Sequence, residues 1–163
     1  MIILGISLGT KSSGIAILDN GNLAAWNTLS FKNEWSHRKA NRIVSRYDAY
    51  LRKHKATVVV LKIPPLTHHT DAILSLIKRI QQMVVFHGCM VEYTTKNDIK
   101  QAIPGIRNTH DIMEYASNLY PVLHPAFEQE KLNRNRYHAR MFEAVIVAHL
   151  WHKQRCEKGN TGP

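Results

Sequence analysis

The chain opens Ile2-Ile3-Leu4-Gly5-Ile6-Ser7-Leu8-Gly9-Thr10-Lys11-Ser12-Ser13-Gly14-Ile15-Ala16-Ile17-Leu18-Asp19. Two apolar, β-branched runs flank a turn of small residues, which predicts a β-hairpin. Asp19-Asn20-Gly21 predicts a second tight turn, and Leu23 to Leu29 a third strand of the same meander. Neither opening run alternates with polar residues, so both belong in the middle of a sheet covered on its two faces. Ser7 is the exception, a polar side chain where the first strand ends and a glycine allows close approach to the backbone.

Beyond the meander, Ala40, Ile43, Val44, Tyr47 and Leu51 recur at three- and four-residue steps, predicting an amphipathic helix over 36–54. Arg38, Lys39, Arg42, Arg46, Arg52 and Lys53 give that helix a basic outer face. Residues 57–63 read as a buried parallel strand stopped by Pro64-Pro65. A helix over 70–86 ended by Gly88, a strand over 89–94, a helix over 108–119 capped by Asn108 or Thr109, and a last helix over 137–153 follow. Between the last two helices, 121–136 reads as a loop with a basic, asparagine-rich end, suited to mobility or phosphate contact. The alternation predicts an α/β fold, a mixed sheet flanked by helices.

A length of 163 residues suits one domain, placed at 1–155, with 156–163 as a polar tail. No apolar run approaches the roughly 20 residues of a membrane span, and the N-terminus lacks the pattern of a signal peptide. The expectation is a protein of the cytoplasm or another reducing intracellular compartment, without a membrane partner. Cys89 and Cys156 have no metal-ligand spacing. His68-His69 and the pair His149 and His152 fall short of the three or four ligands zinc needs, so no metal site is expected from them. Trp26, Trp35 and Trp151 share no spacing, and burial is their default reading. Lys and Arg number 22 against 12 Asp and Glu, a net charge of +10 that attracts polyanions, nucleic acid first among them.

The stretch Ile3 to Asp19 resembles the opening of the RuvC-type Holliday junction resolvases of the RNase H-like superfamily. Their first strand carries Gly-Ile-Asp-x-Gly, and its Asp is a ligand of catalytic Mg²⁺; here the matching position is Ser7. The resemblance extends from Ile2 to about His152 and implies an RNase H-like, mixed five-stranded sheet, an antiparallel three-strand meander continued by parallel strands. Aligning the strand at 57–63 with the family's puts Leu61 in place of a catalytic Glu, and a shift of one residue puts Lys62 there. In the closing helix, Arg140-Met141-Phe142-Glu143-Ala144 stands where the family has two metal-site residues, at Arg140 and Glu143. Lys100 and Gly105 match a DNA-facing turn, while a second family lysine falls near His110 or Asp111. A stacking aromatic that follows the catalytic Glu in the family is replaced by Pro64 and Pro65. The resemblance also implies a homodimer.

Two-metal phosphodiester cleavage needs a cluster of carboxylates to hold two divalent cations about 4 Å apart. Ser7, Leu61, Arg140 and Glu143 offer one. The expectation is a silent site in which the Arg140 guanidinium neutralises Glu143. No cofactor is expected in that case; Mg²⁺ is expected only in an active enzyme. Phosphate contact is expected from Lys11, Lys62, Lys100, Arg107, Lys131, Arg134 and Arg136 on branched or structured nucleic acid, DNA ahead of RNA. Two alternatives remain open: a working Mg²⁺ junction endonuclease whose site is rebuilt from other acids such as Asp19 or Glu143, and a structural subunit of a ribonucleoprotein or other assembly. Gly5 to Thr10 also resembles the first phosphate loop of actin-like and sugar-kinase ATPases, but those require a duplicated domain and an Asp at the position of Ser7.

Overall fold

The computed structural model describes residues 1–133 and 136–159. Strands β1 (Ile2–Ser7), β2 (Ser12–Asp19) and β3 (Asn22–Ser30) form the antiparallel meander. Strands β4 (Val58–Lys62) and β5 (Met90–Thr94) extend the sheet in parallel from β1, giving the order β3-β2-β1-β4-β5. The expected mixed five-stranded α/β sheet is therefore present, with β1 at its centre. Asn20 and Gly21, both at positive φ, make the turn between β2 and β3.

Helix α1 (His37–His54) joins β3 to β4, helix α2 (Asp71–Phe86) joins β4 to β5, and together they cover one face. Ser36 caps α1 by accepting from Lys39 N, and Thr70 caps α2 by accepting from Ile73 N. The other face is covered by α6 (Ala139–Gly159), with α3 (Lys96–Ala102), α4 (Thr109–Leu119) and α5 (His124–Leu132) packed around it. Because side chains alternate along a strand, Ile3, Val58 and Val60 pack under α6, whereas Leu4, Ile6, Val59 and Leu61 pack under α1 and α2.

Glycine sets the approach of α6. A Cβ on Gly14 would stand 1.9 Å from the Arg140 carbonyl oxygen, and one on Gly5 would stand 2.3 Å from that of Ala144. No side chain fits at either position, so the first two turns of α6 rest directly on the backbone of β1 and β2.

Four sequence expectations need correction. Residues 121–136 are not a continuous loop, because a 3₁₀ turn at Pro121–Leu123 leads into α5. Pro121 and Pro125 there open helical turns, where a missing N–H costs nothing. Helix α6 runs to Gly159, so the start of the segment assigned to a polar tail is helical. Lys39, expected on the basic outer face of α1, is buried. Trp26 and Trp35 are each 36% exposed, and of the three tryptophans Trp151 alone is buried.

Candidate functional site: a closed ion pair at the end of the central strands

Ser7 and Lys62 are the last residues of β1 and β4 and lie side by side in the parallel register. Both follow the phase of Val58 and Val60, so both point toward α6. Glu143, one turn into α6, meets them there. Lys62 Nζ lies 2.9 Å from Glu143 Oε2, with the two side chains 9% and 8% exposed. Ser7 Oγ donates to Glu143 Oε1 at 3.3 Å. Each carboxylate oxygen thus has its own donor, as a buried charge requires.

This corrects the alignment of the fourth strand. Leu61 is fully buried under α1 and α2, on the opposite face from Glu143, because a one-residue step in a strand reverses the side chain. Lys62, not Leu61, is the β4 residue that faces Ser7 and Glu143. It also leaves the set of phosphate contacts, since its ammonium is committed to Glu143.

Arg140 does not fold onto Glu143. Its Nη1 donates to the Leu8 carbonyl at 2.7 Å, and its guanidinium lies over Gly9. It therefore braces the turn after β1 while Lys62 supplies the neutralising charge. Beneath that turn, Ser13 Oγ bonds the Tyr47 hydroxyl and also donates to the Gly9 carbonyl at 3.3 Å. Burial pushes the Tyr47 phenol well above its ordinary range, against the opposing effects of the Ser13 bond and the Arg140 charge. Asp19 pairs with Ile2 at the far end of β1. Five residue steps along β1, about 17 Å, separate it from Ser7, too far to rebuild a site there.

The donor set does not fit Mg²⁺. That ion takes hard oxygen ligands in octahedral array. Here a single carboxylate is already engaged at both oxygens, and a fixed ammonium sits where a cation's charge would have to go. Among the described residues, no group of three or more His, Cys, Asp or Glu side chains is placed to hold a metal ion. His149 instead bonds the Tyr120 hydroxyl through Nδ1 at 3.0 Å.

The other basic residues are spread over the surface. Lys11 and Lys100 are exposed, and Arg136 is exposed ahead of α6. Arg107, whose side chain is 85% exposed, lies 3.6 Å from Asp111. Lys131 pairs with Glu128 at 3.1 Å and lies over the Phe127 ring. Arg134 falls outside the described residues. The loop after β4 folds into a 3₁₀ turn at Leu66–His68, fastened by a 2.8 Å bond between His69 Nε2 and the Pro64 carbonyl. It presents Leu66, 82% exposed, which sequence reasoning passed over because an isolated leucine after two prolines carries no pattern.

No protein-family model matches the sequence, and no curated relative matches it. Solved structures do. Thermus thermophilus RuvC matches with a TM-score of 0.71 at 13% identity, over 96% of this chain and 97% of that one. RuvC of the same organism in complex with a Holliday junction substrate matches with a TM-score of 0.68 at 13% identity, over 96% of each chain. No helix among the described residues is long and apolar enough to cross a membrane. The chain has a RuvC-like, RNase H-like fold.

Proposed function

We propose that this protein binds branched or structured nucleic acid, DNA ahead of RNA, without cutting it. The observation that carries the reading is the Lys62–Glu143 pair: the buried acid at the end of the central strands already has an ammonium as its counter-charge, which supports a site that holds no catalytic metal. Electrostatics supports the binding half. A net charge of +10 on a 163-residue chain gives a strong nonspecific attraction for phosphates, and the exposed Lys11, Lys100 and Arg136 are available to make it. RuvC of the same fold, seen with a Holliday junction, makes a four-way junction the first substrate to try. A homodimer would match the two-fold symmetry of such a junction.

The test is a labelled four-way junction incubated with the purified protein, with and without Mg²⁺ or Mn²⁺. The expected result is salt-sensitive retention of intact junction in preference to plain duplex. Metal-dependent nicking that disappears in Glu143→Gln would establish an active enzyme instead. Absence of binding to DNA or RNA at low salt would favour a role as a structural subunit of an assembly.

A further inference from the structure

On the α1 and α2 side of the Leu8–Lys11 turn, opposite Arg140, the surface opens into a cavity of about 550 Å³ walled in part by Lys11, Lys32, Trp35, Lys39 and Thr70. A second hollow of about 310 Å³ shares Lys32 and Lys39 and adds Arg42 and Arg46. The walls are tied together. Phe31 N donates to the Lys11 carbonyl at 2.8 Å, joining the 31–35 loop to the turn, and the N-termini of α1 and α2 close the remaining side.

Five cations therefore converge on the two hollows against one acid, Glu34. None of the five has a carboxylate partner among the described residues, whereas Arg52, Arg107 and Lys131 elsewhere on the surface each do. Lys39 is the most telling. It is 6% exposed, and its ammonium donates to the Asn33 carbonyl, which uses one of its three hydrogens. Convergent unpaired cations in a concave site call for a multiply charged anion. The rest of the wall adds an aromatic plane, since Trp35 is 36% exposed on the rim, and Phe31 and Ala72 line the cavity beside it. A phosphate alone would use the lysines and leave the indole idle. A nucleotide uses both, stacking its base and placing its phosphate among the lysines.

We propose that this cavity takes one splayed nucleotide of a single-stranded segment, with its base on Trp35 and its phosphate held by Lys32, Lys39 and Lys11. A base inside a duplex cannot enter, because both its faces are covered by its neighbours in the stack. The inference rests on the nucleic-acid reading above and narrows it to substrates in which duplex and unpaired strand meet. The Leu8–Lys11 turn, fastened to Arg140 at Leu8 and to Phe31 at Lys11, separates the cavity from the α6 side of the sheet, so a duplex lying over the α6 side would send its unpaired strand across the turn into the cavity.

The experiment compares binding, by fluorescence anisotropy at fixed salt, of a blunt DNA duplex and of the same duplex carrying an oligo-dT tail. The tail is expected to tighten binding by about tenfold, the gain one stacked base supplies. Trp35→Ala should remove most of that gain, Trp35→Phe should retain most of it, and Lys32→Glu should reduce it. Trp35 is a surface residue, and thermal melting of each variant confirms that the fold is kept. Equal affinity of the wild-type protein for blunt and tailed duplexes, or an undiminished ratio in Trp35→Ala, would overturn this inference while leaving duplex binding in place. Failure of the wild-type protein to bind either duplex would overturn the nucleic-acid reading and this inference with it.

Discussion

Lys62 and Glu143 form an ion pair that links the end of a central strand to the first turns of the covering helix, 2.9 Å apart and nearly closed to solvent. Two charges in such a place lose most of their hydration, and each is tolerated because the other is there. Lys62→Met is expected to destabilise the protein by about 3–5 kcal/mol, because it leaves the Glu143 carboxylate buried without a counter-charge. The double variant Lys62→Met/Glu143→Leu is expected to recover most of that loss. Urea unfolding of the wild type, both single variants and the double variant measures the coupling directly. A near-zero coupling would mean that water reaches the pair.

The close seat of α6 gives a sharper mutational contrast. Gly14→Ala places a methyl 1.9 Å from a backbone oxygen of α6, a contact no rotamer can relieve, and Gly5→Ala is little better at 2.3 Å. Each is expected to cost about 3 kcal/mol or more, at or beyond the upper end of ordinary overpacking. Gly159→Ala, with nothing within 4 Å of the added carbon, should leave the melting temperature unchanged within error. Thermal denaturation of the three variants checks the ordering.

Salt dependence separates exposed cations from committed ones. If Lys100 touches a phosphate, Lys100→Ala should lower the slope of log K against log salt by about one and weaken all sequences alike. Lys131→Ala should change the slope less, since Glu128 already screens its ammonium and the Phe127 ring holds it. Titrations of a fixed duplex at several salt concentrations give these slopes. A Lys100 variant with an unaltered slope would remove it from the interface.

The sheet could be read from the sequence because Ile2 to Ile6, Ile15 to Leu18 and Val58 to Leu61 are apolar on both faces, a pattern that central strands alone require. Strand phase at the site could not. Leu61 and Lys62 are adjacent, and whether the hydrocarbon or the ammonium faces Glu143 depends on the register of β4 against β1, which an apolar run leaves undefined. Arg140 takes the neutralising role in the sequence reading because it shares a motif with Glu143, whereas the structure gives that role to Lys62. Helix α5 is masked in the sequence by two prolines that look like loop punctuation, although each stands where a helical turn begins. The Trp35 cavity had no sequence signal at all. Its cations come from the turn after β1, the loop after β3 and α1, and tertiary folding alone brings them together.

His149 gives the fold a pH dependence that can be located. Its ring is partly buried against Tyr120, and burial first, then the charges of Lys153 and His152, holds its pKa below the ordinary imidazole value of 6.5. The unfolded chain therefore takes up the proton before the folded protein does. The stability this residue supports is fully present above about pH 6.5 and is lost as the pH falls through its lowered folded value. The wild-type urea midpoint should accordingly fall between about pH 7.5 and about pH 5, and His149→Gln should fall less over that interval. A histidine titration followed by NMR should place the His149 midpoint below that of an unperturbed imidazole; an ordinary or raised midpoint would show that the Tyr120 contact stays open to water.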